Sequence, residues 1–284
     1  MSDNREGNQV FTAQKAEMKG FQTSSVMRDD FNMEIAVESV PLPSEGRIYP
    51  SDSASHNRST VDIKAMTARE EDILTSRAYI KKGTVITELL KSCIVDKKIK
   101  VNKLISGDRN ALMTAVRITG YGADYKVEVD CPDCGEKAEH GFDLSQLPIK
   151  RLEIEPVREG ENAFEFVLPV SKKTVVFRFL TGDDEQNMSI TAERRKKKKV
   201  TGDLENSVTQ RLTYSIVSVD DVTDKNKISQ FVAHMPAQDS RKLRKYMDDN
   251  EPGVEMKAWM DCPHCYETSE VDLPIGANFF WPDS

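Results

Sequence analysis

Two segments of this 284-residue chain share one pattern that constrains its architecture: Asp130-Cys131-Pro132-Asp133-Cys134-Gly135 and Asp261-Cys262-Pro263-His264-Cys265-Tyr266. Each follows a strand-like run that ends in Asp and precedes a second such run. Two residues between cysteines allow a tight turn to direct both sulfurs at one metal ion, at about 2.3 Å from zinc. Each segment therefore resembles a zinc knuckle, which supplies two of the four ligands of a tetrahedral site.

The four cysteines Cys131, Cys134, Cys262 and Cys265 are predicted to bind one zinc ion together. Since 127 residues separate the two pairs, the ion would join distant parts of the chain. Closing such a loop costs on the order of 4 kcal/mol, whereas structural zinc contributes roughly 10–16 kcal/mol of apparent binding free energy. Four thiolates leave no open coordination position, so the site is predicted to be structural and not catalytic.

Three other interpretations of these cysteines remain open. Iron also binds four thiolates, and ligand type alone does not separate it from zinc, although zinc is favoured. Thiol–disulfide exchange by Cys-Pro-His-Cys needs its first cysteine at a helix N-terminus in a βαβ context, and only 19 residues follow Cys265. Unliganded thiols are the third alternative. Cys93 lies in an apolar helical run and is predicted to be a core residue.

The composition excludes several classes of protein. Forty Lys and Arg against 47 Asp and Glu give a net charge of -7, which disfavours nucleic-acid binding over the whole surface. No apolar stretch approaches the roughly 18 residues that a bilayer span needs. The N-terminus has no apolar segment typical of a signal peptide. We therefore expect synthesis in the cytoplasm, no membrane partner and no disulfide framework.

The chain is predicted to fold as an α+β protein, with a mostly helical body, short antiparallel hairpins and a four-cysteine zinc ribbon assembled from two distant knuckles. Polar residues without a sustained period predict a flexible N-terminal arm that could order on a partner, and prolines then predict an extended strap. The expected parts are the arm (1–33), the strap (34–60) and the body (61–284), which includes the ribbon (125–145 with 254–275) and an inserted region (146–253).

Local patterns predict the elements of the body. Thr67-Ala68-Arg69-Glu70 is a capping box and marks a helix start. The other predicted helices cover Thr84–Ile94 and Ser106–Thr119, and helical spacing returns at Val208–Val219, Ile228–Met235 and Leu243–Met247. The predicted strands are Tyr125–Val129 and a hairpin formed by Phe164–Val170 with Thr174–Leu180. Asp183-Asp184-Glu185 is typical of the first turn of a helix.

Motifs of known enzyme classes are missing from the sequence. It has no Gly-rich phosphate loop and no Gly-x-Ser-x-Gly elbow. The four histidines lack metal-ligand spacing, and His140 and His264 beside the knuckles are interpreted as exposed turn residues. The basic run Arg194–Lys199 is interpreted as a solvated helix end, with a docking patch for an acidic protein or a nucleic-acid contact as alternatives. We therefore expect neither catalysis nor a small-molecule substrate.

Three further segments resemble one known family: Leu42–Pro50, Met66–Ser76, and Asp108-Arg109 continuing through Arg117–Gly122. Together they resemble the baseplate hub proteins of T-even-type contractile-tailed bacteriophages, most specifically over residues 40–145. The resemblance implies a late-expressed, structural tail component of the virion that is made in the host cytoplasm. Its partners would be other phage baseplate and tail proteins. Whether it stays in the virion or acts only during assembly is left open.

An interlocking assembly subunit also fits the residues, because an arm that orders on a neighbour can bury a large surface. The alternative from another class is a zinc-ribbon nucleic-acid-binding protein. Acidic residues around both knuckles would repel phosphate and disfavour that alternative; they are Asp130, Asp133, Glu136, Glu139, Asp261, Glu267 and Glu270.

Overall fold

The computed structural model of the protein describes residues 23–28, 34–197, 207–275 and 279–280. Within these residues it confirms the α+β class. The helices are α1 (Ala68–Thr75), α2 (Arg77–Lys82), α3 (Val85–Cys93), α4 (Ser106–Tyr121), α5 (Gly182–Lys197), α6 (Ser207–Ser215), α7 (Lys225–His234) and α8 (Ala237–Asn250). The strands are β1 (Thr23–Arg28), β2 (Glu34–Pro41), β3 (Thr60–Lys64), β4 (Asp124–Asp130), β5 (Lys137–Asp143), β6 (Ile149–Lys150), β7 (Phe164–Val167), β8 (Thr174–Phe177), β9 (Ile216–Val219), β10 (Gly253–Val254), β11 (Lys257–Asp261) and β12 (Thr268–Asp272). No helix in these ranges has the length and apolarity that crossing a bilayer requires.

The N-terminal sheet has the antiparallel strand order β1-β2-β3. β1 lies within residues 1–33, the predicted flexible arm, and pairs with β2 from Thr23 opposite Glu38 to Arg28 opposite Glu34. In these six residues the chain is a paired strand and not a free segment, because its backbone groups find partners on β2. The rest of the predicted arm lies outside the described residues.

The proline-containing segment 34–60 combines strand β2 with a series of turns. Its turns are anchored to the start of α4 by the buried carboxylate of Asp108. This carboxylate accepts hydrogen bonds from the Ser44 backbone N–H (2.9 Å), the Ser44 hydroxyl (2.5 Å) and the Tyr49 hydroxyl (2.5 Å). The Tyr49 oxygen in turn accepts a bond from the Ile105 N–H (3.0 Å). Three donors satisfy a carboxylate that would otherwise be costly to bury.

Helices α1, α3 and α4 form the centre of the first half of the body. The predicted capping box is confirmed, since the Thr67 N–H donates to the Glu70 carboxylate at 2.9 Å. Most residues of α4 are buried. Near its end the guanidinium of Arg117 donates to the carbonyls of Phe279 (2.5 Å) and Asp124 (2.9 Å), and so connects α4 with the C-terminal segment and β4.

The second half of the body surrounds the antiparallel sheet β7-β8-β9. The predicted hairpin is confirmed with shorter strands, which are joined by a turn that contains Lys172 at φ 57°. The prediction of helical structure through Val219 is wrong, because α6 ends at Ser215 and the next four residues form β9. β-Branched residues dominate this tetrapeptide, and they pack well on a pleated strand against β8.

The buried apolar residues form two large clusters and one small one. The first cluster combines residues 40–147 with residues 254–280. The second consists of Ile48, Ile105 and residues between Leu152 and Met247, so the predicted inserted region supplies most of it. The third lies inside the ribbon, between hairpins β4-β5 and β11-β12.

Candidate metal centre

The two cysteine pairs lie in the turns of two antiparallel hairpins, β4-β5 and β11-β12. In the first turn the Cys131 N–H donates to the Glu136 carbonyl at 2.9 Å, and in the second the Cys262 N–H donates to the Glu267 carbonyl at 3.0 Å. These equivalent bonds close both turns at the same point of the repeat. The two knuckles therefore have the same backbone arrangement, as their shared sequence pattern predicts.

A residue in the left-handed region follows the second cysteine of each knuckle. Gly135 has φ 74° and Tyr266 has φ 64°. The Gly135 N–H donates to the Cys131 carbonyl and the Tyr266 N–H to the Cys262 carbonyl, both at 2.9 Å. The left-handed residue redirects the chain into the returning strand, which glycine does without steric cost and tyrosine does not.

All four cysteine sulfurs lie within 4.8 Å of one another. The Cys131 and Cys265 sulfurs are 3.7 Å apart, and so are the Cys134 and Cys262 sulfurs. A regular tetrahedron with zinc–sulfur bonds of about 2.3 Å has sulfur–sulfur edges of about 3.8 Å. The structure thus brings together the four residues that the sequence analysis selected, at distances that suit one tetrahedral ion.

The environment of the sulfurs favours thiolates at some positions and opposes them at others. Backbone amides of Cys265 and His264 hydrogen-bond the Cys262 sulfur and lower its pKa to about 6. At Cys265 the Glu267 amide favours the thiolate, but burial and the hydrogen bond to Cys262 raise the pKa to about 12. Four adjacent thiols cannot all ionise by themselves, so a full set of thiolates needs a cation among them.

This donor set fits zinc or iron better than redox chemistry. Cys131 and Cys262 are buried, Cys265 is half-buried and Cys134 is exposed, so one edge of the cluster reaches the surface. Both pairs belong to hairpin turns, whereas thiol–disulfide exchange of the Cys-x-x-Cys type needs a helix N-terminus that lowers the pKa of its first cysteine. Ligand type still does not separate zinc from iron.

The ribbon contains one polar contact that the sequence analysis missed. The hydroxyl of Ser269 on β12 donates to the carboxylate of Asp133 in the first knuckle. Ser269 is buried, and it shares the inner face of the hairpin with Val271. Alternation along β12 could have placed Ser269 on that face, but nothing local indicates a partner 136 positions away.

The structure also locates the fifth cysteine, the two histidines near the knuckles and the basic run. Cys93 is fully buried, and burial raises its pKa to about 12. His264 is an exposed turn residue, as predicted, but His140 is half-buried on β5, so its assignment to an exposed turn is wrong. The basic run continues α5 as far as Lys197, and Lys198 and Lys199 lie outside the described residues.

Comparison with known proteins places the chain in one family. No curated protein and no solved structure matches the chain significantly. A family model described as "T4 bacteriophage base plate protein" matches residues 39–281. The match includes both knuckles, the helical centre and the second apolar cluster. The chain, with its two cysteine knuckles, therefore belongs to the T4 bacteriophage base plate protein family.

Proposed function

We propose that this chain is a non-catalytic structural or assembly subunit of the hub, the central part of a contractile tail baseplate. Family membership supports a structural baseplate component in the tail of the virion, in contact with other tail proteins. The observation that carries the proposal is the convergence of the four cysteine sulfurs within a family-matched chain. The cluster joins remote segments and, once filled by a metal ion, leaves no coordination position for a substrate.

In this proposal Cys131, Cys134, Cys262 and Cys265 hold a zinc ion. Zinc would supply four bonds to sulfur and no reaction step. The protein itself contributes the two hairpin turns, the amides that stabilise the Cys262 thiolate, and the contact between Ser269 and Asp133. These groups hold the two hairpins together on the first apolar cluster. The ribbon then acts as a rigid platform for neighbouring subunits.

The N-terminal arm, residues 1–33, is proposed to dock on a neighbouring tail protein. Supporting this, β1 lies at the edge of its sheet and pairs with β2 alone among the described strands. An edge strand presents a row of backbone donors and acceptors that a second chain can pair with. Residues 1–38 also lie outside the family match.

Mass spectrometry and cryo-EM of purified tails test the proposal. Phage in which the gene for this chain is disrupted are grown in host cells. The hosts supply the full chain, a chain lacking residues 1–22, or a chain lacking residues 1–33. We expect the full chain to restore tail assembly, and the 1–33 deletion to remain folded and zinc-loaded but to fail. The 1–22 deletion keeps β1 and separates its contribution from that of the preceding residues.

Two results would overturn parts of this proposal. Phage without the gene could still assemble normal tails that do not contain the protein. That result would exclude a baseplate role. Normal assembly with the chain lacking residues 1–33 would exclude docking through the arm while leaving the baseplate role intact.

Nucleic-acid binding by the ribbon is the competing function. All seven carboxylates that the sequence analysis placed around the knuckles are exposed, so they oppose the approach of phosphate. A gel-shift titration at low salt with single- and double-stranded DNA is expected to show no complex. A salt-dependent shift would favour this second function over the first.

A further inference from the structure

The charges of the chain are divided between separate surfaces. Residues 64–103, which include α1, α2 and α3, contain ten Lys and Arg but only five Asp and Glu. The two ribbon hairpins, residues 124–143 and 257–272, contain eleven Asp and Glu but only three Lys. Because the whole chain has a net charge of -7, the basic region is a local reversal of sign. Opposite charges on one molecule allow two copies to attract each other.

The acidic ribbon exposes two large aromatic side chains, Tyr266 in the turn of the second knuckle and Trp259 on a strand. Trp259 lies on the outer face of β11 and is 67% exposed. Its cross-strand neighbour is Glu270, and Asp261 follows it on the same face of the strand. Single exposed apolar residues are common, but tryptophan is the residue most enriched among interface anchors. Here the indole projects from the hairpin and is bordered by these carboxylates and by Lys257, whose ammonium lies 3.8 Å from the Glu270 carboxylate.

The basic region contains a groove of matching character. It lies between β2, α1 and α3, and it has a volume of 640 Å³. Its apolar lining includes Ile35, Ile73 and Ile94, and its cationic lining includes Arg69 and Lys91. Sites of this size commonly enclose a small ligand or a large side chain.

The cations of the groove differ in how fully they are paired. Lys64 contacts the buried carboxylate of Glu70 at 2.8 Å, and Lys91 forms an exposed pair with Glu88 at 2.9 Å. In the part of the chain that the structure describes, Arg69 has no carboxylate partner. An incoming carboxylate could therefore pair with Arg69, and the exposed Lys91 pair could exchange partners at little cost.

We infer that the occupant of this groove is a second copy of the same chain, which inserts Trp259 between the isoleucines and places Asp261 and Glu270 near Arg69 and Lys91. Burying an indole removes a large apolar area from water, and the surrounding charges set the orientation. The inference goes beyond the proposed function, because it concerns contacts between copies and not incorporation into tails.

The contact joins two different surfaces, so it is heterologous. An open assembly of any length therefore keeps one free groove at one end and one free Trp259 at the other. Such contacts produce a ring when the rotation between copies closes and a filament when it does not. The purified chain should therefore form assemblies that grow with concentration. They should weaken with salt, because the pairs at the edge of the contact are exposed.

Sedimentation equilibrium of the zinc-loaded full chain tests the inference. We expect concentration-dependent association that Trp259→Ala weakens by at least about tenfold, as truncation of an interface anchor does. Arg69→Glu should weaken it in a salt-dependent way. The matched controls are Val167→Ala, a 55% exposed apolar residue elsewhere, and Arg158→Glu, the same charge change at an exposed site; both should associate like the unmodified chain.

Mixing the two interface variants distinguishes this contact from any other. Trp259→Ala copies retain an intact groove, and Arg69→Glu copies retain an intact tryptophan. Together they can form one good contact per pair, so we expect heterodimers that do not grow further. The inference is overturned if the unmodified chain stays monomeric at every concentration and salt, if Trp259→Ala associates normally, or if the mixture does not pair. Binding of Trp259 only to another tail protein would give the first of these results.

Discussion

Gly135 and Tyr266 occupy equivalent positions of the two knuckles, and both have φ in the left-handed region. At Gly135 a Cβ atom would meet no other atom within 4 Å, so a substitution there tests backbone conformation alone. We expect Gly135→Ala to lower the free energy of unfolding of the zinc-loaded protein by about 1 kcal/mol. Urea denaturation measures the change.

The matched control for this substitution is Gly141→Ala on β5. A Cβ atom at Gly141 also meets nothing within 4 Å, but its φ is not positive. This variant should be no less stable than the unmodified protein. Equal losses from the two substitutions would show that the left-handed conformation of Gly135 is not responsible.

The role of a single residue could be predicted where the pattern that indicates it lies in the neighbouring sequence. The four cysteines carry such a signal, because two residues between ligands constrain a turn whatever the rest of the fold. The role of Arg117 was not predictable, since its acceptors include the carbonyl of Phe279, which is 162 positions away. Its helical spacing predicts only a place on α4, and no pattern indicates that its guanidinium is fully buried.

Among the elements, α1 is joined to β3 and α3 by one buried carboxylate. Glu70 accepts hydrogen bonds from Lys64 (2.8 Å), Ser92 (2.5 Å) and the Thr67 N–H (2.9 Å). Burial favours the protonated acid, but these bonds outweigh it and lower the pKa of Glu70 from 4.5 to about 2. A lowered folded-state pKa stabilises the fold above pH 4.5, and this contribution disappears as the pH falls through 2.

We therefore expect Glu70→Gln to be destabilising at neutral pH and progressively less so in acid. The difference between the two proteins should shrink by roughly 2–3 kcal/mol between pH 5 and pH 2. Comparing unfolding of both proteins at each pH cancels the effect of metal loss, which both share. Glu88→Gln, which removes an exposed pairing partner of Lys91, should show little change. A pH-independent difference for Glu70→Gln would contradict the assigned pKa.

The element boundaries predicted from the sequence are correct where one hydrophobic period dominates. They are wrong where helical and strand periods compete. Capping and helical spacing predicted α1, α3, α4, α7 and α8. Val219 continues the helical spacing of α6, yet the chain forms β9 there because β8 offers an open edge for pairing. Which edges are open depends on the assembled sheet and not on local sequence, so tertiary pairing overrides the helical pattern.

The whole molecule contains two large apolar clusters that lie differently with respect to the ribbon. The first cluster includes Tyr125 on β4, and Leu144, Val254 and Leu273, which flank the ribbon hairpins. The second depends mainly on residues 152–247 and contains no ribbon residue. Metal binding and folding are coupled most strongly where the ligands lie. Loss of zinc should therefore loosen the ribbon and the adjoining first cluster before the second.

Hydrogen exchange of the zinc-loaded and chelator-treated protein measures this difference. Removal of zinc should abolish protection in β4, β5, β11 and β12 and leave protection in β8 and α8 largely intact, because their packing lies within the second cluster. Cys134→Ser should reproduce the loss and lower the metal content measured by mass spectrometry. Cys93→Ser, which changes a buried thiol of the first cluster, should keep one zinc per chain. Unchanged protection of the hairpins after complete metal removal would contradict the role of zinc as the link between them, because the hairpins would then be held by Ser269, Asp133 and the small ribbon core alone.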